Sequence, residues 1–326
     1  TLNMTKPRVF IARKIPKEAE EYIGRYCDYT IWEGQTKLGY DTILDKIHDV
    51  EGILLSLIKI DENFLDHAPN LRVVSNYSVG YNNFDIEAME KRGVIGTNTA
   101  GSLDDTVADL IFGLMISTAR RIPELDKYVK DGKWRKDDDE IFLGKDISES
   151  SLGIIGMGRI GVEVAKRAKL GFNMDVNYYN RNRNIRVEED LGIKYLSFDS
   201  LLRSSDFVVT MTPLNKETYH MMDEREFSLM KEDGIFINAS RGKVVNEEAL
   251  IKALKNKQIL AAGLDVFENE PLPLDSPLLS MSNVITLPHI GSTTKRAREK
   301  MAMLAAKNLV QALNGEIPDN LVPEFN

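Results

Sequence analysis

Arg241, Glu270 and His289 each stand just beyond an apolar run that reads as a strand, in the segments IFINASRGKVV, AAGLDVFENEP and VITLPHIGS. Ligands of open α/β sheets bind outside the carboxyl ends of the strands, so the three can converge on one crevice. Their types make a working set. An imidazole titrates near neutrality and can hand a proton to a developing alkoxide. A carboxylate behind it orients the ring and favours its protonated form. A guanidinium clamps a carboxylate-bearing molecule with forked donors. Taken singly, each residue also has a structural explanation: a satisfied buried histidine, an ion-pair partner, a turn residue beside Pro271.

What tips the set toward catalysis is the turn upstream of it. Residues 152–161, LGIIGMGRIG, run from a strand into G-x-G-x-x-G and on into a helix, VEVAKRAKL. Gly156 permits the tight turn, Gly158 lets the backbone approach a pyrophosphate, and Gly161 allows helix and strand to pack closely. The helix N-terminus adds unpaired N–H donors and a partial positive charge. Three glycines alone are weak evidence, but this order of strand, turn and helix points to a dinucleotide. An acidic residue about 20 positions on usually accepts from the adenosine ribose. Here that place holds Asn180, followed by Arg181, Asn182 and Arg183, with no carboxylate. Asn180 does not repel a 2′-phosphate, and Arg181 and Arg183 offer donors suited to one, so NADP is expected and NAD stays open.

The elements that must position these groups form two alternating runs. Arg8–Ala12, Gly52–Leu57, Leu71–Ser75 and Val94–Gly96 read as strands, with Lys17–Tyr26 as a helix. After Leu152 come strands at Leu152–Ile155, Met174–Tyr179, Phe207–Met211, Ile235–Asn238, Ala262–Val266 and Val284–Thr286. Strands alternating with helices predict α/β architecture with parallel sheets. A helix between Thr99 and Arg121 is apolar nearly all round, as a buried helix would be, and Ser102 with Asp105 resembles a capping box. The stretch from Lys127 to Ser150 is highly charged and reads as an exposed excursion. A last helix is expected from about Thr293 to Leu313, with Gly315 as its C-cap.

With 326 residues, 43% apolar and 28% charged, the chain has material for two cores. Its net charge of −8 argues against nucleic acid as a partner. The single Cys27 excludes an internal disulfide, no Cys/His pairs sit at metal-ligand spacing, and no metal is expected. The first ten residues lack a signal-peptide core, and no apolar run approaches the roughly 18 residues needed to span a bilayer. A cytoplasmic protein without a membrane is the expectation.

At this point the chain resembles the D-isomer-specific 2-hydroxyacid dehydrogenases along nearly its whole length. The resemblance rests on GIIGMGRIG at 153–161, TPLNKETYHMM at 212–222, INASRGKVVNEEAL at 237–250, AAGLDVFENEPLP at 261–273 and LPHIGSTT at 287–294. It implies two Rossmann-like domains with parallel sheets, residues 1–99 plus 293–326 for substrate and 100–292 for the dinucleotide, with the active site in the interdomain cleft. It implies His289 as acid/base, Glu270 as its partner and Arg241 as the clamp on the substrate carboxylate. The loop NYSVGYNNFD resembles the family's carboxylate-binding loop, which gives that role to the backbone N–H groups of Val79 and Gly80, with Ser56 also lining the substrate. Asp265 resembles the residue that contacts the nicotinamide carboxamide. Thr106, Arg159, Ile160, Pro213, Thr218, Ala239 and Gly291 are expected around the cofactor. Dimerisation through the cofactor domain is usual in the family, and the charged excursion around Trp134 lies where an interface arm would be.

Three positions depart from the family pattern. Asp109 replaces the usual Glu after Ala108, SESSLG precedes the glycine turn in place of G-K-T-L-G, and Asn180–Arg183 is typical of NADPH-using reductases of glyoxylate, hydroxypyruvate and 2-ketogluconate. The expected activity is therefore reduction of a small 2-keto acid of the glyoxylate or hydroxypyruvate type with NADPH. A phosphoglycerate-type dehydrogenase using NAD is the sibling alternative; it needs a cationic pocket, and near Ser56, Leu57 and Ile58 only Lys59 is evident. The chain also ends at Asn326, so an appended regulatory domain is not expected. The other alternative is a corepressor-like protein that senses the dinucleotide without turning it over.

Overall fold

The computed structural model describes residues 5–326. The chain divides into two compact units, one made of the described residues up to Leu103 together with Thr293–Asn326, the other of Asp104–Ser292. Both are parallel α/β layers of the Rossmann type.

The first unit runs β1 (Arg8–Ile11), α1 (Lys17–Tyr26), β2 (Asp28–Ile31), α2 (Tyr40–Leu44), β3 (Gly52–Leu55), α3 (Glu62–Asp66), β4 (Val73–Asn76), α4 (Ile86–Lys91) and β5 (Ile95–Thr97). All pairings are parallel, in the order β2-β1-β3-β4-β5. The inner strands are apolar on both faces because helices cover both; β3, Gly-Ile-Leu-Leu, is wholly buried. The edge strand β2, Asp-Tyr-Thr-Ile, is half exposed and carries no apolar run.

The second unit runs α5 (Asp104–Ala119), α6 (Ile122–Lys130), β6 (Ser151–Ile155), α7 (Arg159–Phe172), β7 (Asp175–Tyr179), α8 (Ile185–Leu191), β8 (Lys194–Tyr195), α9 (Phe198–Ser204), β9 (Phe207–Thr210), α10 (Glu224–Leu229), β10 (Ile235–Asn238), α11 (Glu247–Lys255), β11 (Ala261–Leu264) and β12 (Val284–Thr286). Its seven strands lie β12-β11-β10-β9-β6-β7-β8, so chain direction across the sheet reverses between β6 and β9. The last helix, α12 (Lys295–Leu313), rejoins the first unit, where the Ala305 carbonyl accepts from the buried Ser75 hydroxyl at 2.8 Å.

Helix starts follow side-chain chemistry. Asp61, Asp85, Ser197, Asn246 and Thr294 each accept a first-turn N–H at the head of α3, α4, α9, α11 and α12. Ser102 does not complete a capping box: its hydroxyl donates to the Thr99 carbonyl at 2.6 Å instead. Helix α12 ends just before Gly315, which takes φ +79°. Among the described residues, no helix is long and apolar enough to cross a membrane.

Candidate active site

The glycine turn begins at the end of β6, next to the sheet's switch point. Gly156 has φ +101°, and a Cβ there would lie 2.4 Å from the Met211 carbonyl oxygen. Gly161 is equally confined, 2.5 Å from the Gly156 carbonyl oxygen. Gly158 is different: it is exposed, and a Cβ added there would meet nothing within 4 Å. It is also the N-cap of α7 and supplies no side chain to satisfy the first-turn N–H groups. Open space in front of uncapped donors fits a dinucleotide pyrophosphate.

Asn180 closes the turn from the end of β7. Its Oδ1 accepts the Met157 N–H at 3.2 Å and its Nδ2 donates to the Asn182 carbonyl at 3.0 Å. The two arginines beside it differ. Arg183 is held twice by Glu188, at 3.2 and 2.5 Å, and lies 5.5 Å over the Tyr195 ring. Arg181 is 78% exposed and has a single 3.4 Å contact with Glu217. Arg159 reaches Asp104 on α5 at 3.0 Å, while Ile160 and Thr106 are partly exposed. The Thr218 hydroxyl donates to the Pro213 carbonyl at 2.6 Å and fixes the loop after β9.

His289 and Glu270 meet. The imidazole Nδ1 lies 2.7 Å from Glu270 Oε2, and Glu270 Oε1 accepts the Phe267 N–H at 3.0 Å. His289 itself is a non-glycine residue in the left-handed region, φ +54°, a conformation costing on the order of 1–2 kcal/mol. What holds it there is Asp265. Its two oxygens accept the N–H groups of the next two residues, Ile290 at 2.7 Å and Gly291 at 2.8 Å. Burial pushes the Asp265 carboxyl upward, opposed by these two hydrogen bonds and by His289.

Arg241 leaves β10 through a brace the sequence did not advertise. Asn238 Oδ1 accepts from Thr210 Oγ1 (3.0 Å), Ser240 Oγ (2.9 Å) and Ser240 N–H (3.1 Å), and its Nδ2 donates to the Arg241 carbonyl at 3.1 Å. Ala239 is thereby fixed between two tethered neighbours. Gly242 lets this turn press against the next one, since a Cβ there would lie 1.8 Å from the Phe267 carbonyl oxygen. That contact brings Arg241 beside the Glu270 segment. Burial lowers the guanidinium from its ordinary value, and the Glu270 charge works the other way. It remains a cation at any working pH. Asn238 was missed because a buried amide at a strand end has no spacing signature.

In the first unit, Ser56 follows β3 and Val79 and Gly80 lie in the loop after β4. That loop is tied by Ser78 Oγ to the Gly80 carbonyl at 2.6 Å and by Asn98 Nδ2 to the Val79 carbonyl at 2.9 Å. Ser56 accepts from Arg13 at 2.6 Å, a cation the sequence reading overlooked. The two other departures have plain outcomes. Asp109, with Asp105, pairs with Arg167 across α5 and α7, and Ser151 bonds Asp206 through both its N–H and its hydroxyl. Among the described residues, no group of His, Cys, Asp and Glu is gathered to hold a metal.

Comparison with known proteins gives a consistent picture. Residues 112–291 match the family model described as D-isomer specific 2-hydroxyacid dehydrogenase, NAD binding domain. The chain is 46% identical over 322 residues to a glyoxylate reductase of Thermococcus litoralis, covering 97% of each. It is 43% identical over 317 residues to glyoxylate/hydroxypyruvate reductase B of Yersinia pestis, again covering 97% of each. Among solved structures, it superposes with TM-score 0.84 and 30% identity on an NADPH-dependent glyoxylate/hydroxypyruvate reductase of Sinorhizobium meliloti in complex with NADP and malonate, over 98% of each chain.

Proposed function

Because the chain belongs to the D-isomer-specific 2-hydroxyacid dehydrogenases, we propose that it reduces glyoxylate and hydroxypyruvate to their 2-hydroxy acids, with NADPH as the preferred cofactor. The observation that carries the proposal is the 2.7 Å bond between His289 and Glu270, on strand ends shared with Arg241.

When bound, the reduced nicotinamide supplies a hydride to the keto carbon. The chain's own residues do the rest. Glu270 accepts from His289 Nδ1–H and so leaves Nε2 as the atom that carries the transferable proton. That proton goes to the carbonyl oxygen as negative charge develops there. Arg241 holds the substrate carboxylate and fixes the carbonyl in place. In the first unit, the backbone N–H groups of Val79 and Gly80 are donors suited to a carboxylate. Asp265 keeps the His289 turn in its left-handed form and faces the nicotinamide site with Gly291. Around the dinucleotide, Gly156, Gly158, Arg159, Ile160 and Gly161 take the pyrophosphate, and Thr106, Pro213, Thr218 and Ala239 flank it.

The preference for NADPH rests on Asn180 standing where a carboxylate would repel a 2′-phosphate, and on Arg181, which is exposed and held only by a solvent-facing ion pair with Glu217 at 3.4 Å. We place the enzyme in the cytoplasm as a homodimer. The charged segment after α6 supports the dimer, since Trp134, Ile141 and Leu143 in it are each exposed. Initial rates with NADPH and NADH across glyoxylate, hydroxypyruvate, pyruvate and phosphohydroxypyruvate test the proposal. A preference for NADH, or for the phosphorylated acid, would contradict it.

A further inference from the structure

The first unit has a switch point of its own, between β1 and β3 in the order β2-β1-β3-β4-β5. In open parallel sheets, ligands lie outside the carboxyl ends of the strands at such a point. The residues there are Arg13, two positions past β1, Ser56, directly after β3, and Tyr77, directly after β4.

They form one connected cluster. Arg13 Nη1 donates to Ser56 Oγ at 2.6 Å, and its guanidinium lies 4.0 Å over the Tyr77 ring. The Ser56 hydroxyl in turn donates to the Tyr77 carbonyl at 3.4 Å. Tyr77 Oη donates to the carbonyl of Arg298, in the first turn of α12, at 3.0 Å. The Arg298 charge is close enough to act on Arg13, and its guanidinium reaches only the Thr293 hydroxyl at 3.3 Å. Among the described residues, neither arginine forms an ion pair with a carboxylate.

Two half-buried arginines near a switch point, neither paired with a carboxylate among the described residues, leave guanidinium donors for an oxygen-bearing ligand. Arg13 is also held rigidly, stacked on one side and hydrogen-bonded on another, with donors of its fork to spare. Its aromatic platform, Tyr77, leads within two residues into Val79 and Gly80.

We propose that Arg13 recognises the substituent on C3 of the keto acid, favouring an oxygen there, as hydroxyl or carboxylate, over hydrogen. Arg13 is thus a specificity-determining residue for the reaction. The inference rests on the assignment of Val79 and Gly80 to the substrate carboxylate.

Glyoxylate has no C3, so it reports everything else: fold, cofactor, carboxylate binding and proton transfer. The test compares kcat/KM for glyoxylate, pyruvate and hydroxypyruvate, with one dinucleotide, in wild type, Arg13→Met and Arg13→Lys. Methionine keeps an apolar contact over Tyr77; lysine keeps the charge without the fork. Arg13→Met is expected to lower kcat/KM for hydroxypyruvate at least tenfold and for glyoxylate less than threefold, narrowing the preference for hydroxypyruvate over pyruvate. Arg13→Lys is expected to show a smaller loss with the same selectivity, and it carries the test if the methionine variant does not fold. Equal losses on glyoxylate and hydroxypyruvate would make Arg13 a prop for the loop and overturn the proposal, as would no change on either. A wild type that reduces none of the three acids would overturn the functional reading itself.

Discussion

Glu270 Oε2 faces His289 Nδ1 at 2.7 Å, while its other oxygen is anchored on the Phe267 N–H. The carboxylate is therefore fixed before it meets the ring, and it engages Nδ1 so that Nε2 is the nitrogen that the proposed reaction uses. Replacing Glu270 by Gln keeps the shape but offers an amide that can turn its NH2 toward Nδ1. We expect kcat to fall on the order of 10²-fold with folding intact, since general acid–base terms have that size. Steady-state rates alongside thermal unfolding check it; a kcat within twofold of wild type would contradict the role.

The glycines of the turn do different jobs, and alanine separates them. At Gly158 the added methyl meets open space. Gly158→Ala should leave the unfolding free energy within about 0.5 kcal/mol while weakening dinucleotide binding at least tenfold. At Gly156, with φ +101° and the Met211 carbonyl 2.4 Å away, alanine should cost at least about 1–2 kcal/mol of stability. Denaturant unfolding and cofactor fluorescence titration measure both. Equal effects of the two substitutions would show that Gly158 has no ligand-facing role.

Arg181 and Arg183 are not equivalent. Arg183 is occupied by Glu188, whereas Arg181 is exposed and weakly tethered. Arg181→Ala should raise the Kd for NADPH about tenfold and leave that for NADH unchanged, the loss of one hydrogen bond to a charged group. Arg183→Ala should have the smaller effect on NADPH. The reverse ranking would place the 2′-phosphate on Arg183.

Asp206 gives a pH dependence with a defined sign. Burial raises its carboxyl, but the Ser151 N–H and hydroxyl, Lys231 and Lys145 outweigh it and hold it at about 2, below the ordinary 3.8. A depressed folded value means that the stabilisation is present above pH 3.8 and is lost as pH falls toward 2. Asp206→Asn should cost roughly 1–2 kcal/mol at pH 7, and the difference from wild type should shrink below about pH 4. Denaturant melts across this range test it; a difference that grows on acidification would refute the assignment.

Much of this arrangement was legible in the sequence, for reasons particular residues make clear. Buried parallel strands such as Gly52–Leu55 and Ile235–Asn238 are apolar on both faces, so composition alone marks them. Edge strands lack that mark. Asp28–Ile31 alternates exposed and half-buried residues, and Lys194–Tyr195 is only two residues long, so neither stood out. Arg241, Glu270 and His289 were legible because each follows a strand of one sheet. Arg13 was not: in ARKIPKEAEE it is one charge among many, and only the neighbouring Ser56 and Tyr77 give it meaning. The same holds for Asn238 and for Asp265 as the brace of the His289 turn, whose partners lie 25 and 26 residues away.

The central claim is that His289 carries the proton. Its most direct measurement is His289→Ala, assayed for single-turnover reduction of glyoxylate at saturating NADPH and, in parallel, for NADPH binding by fluorescence. The account predicts a fall in the chemical step of at least 10²-fold with the Kd for NADPH within threefold of wild type. A reduction rate that survives the substitution would contradict it.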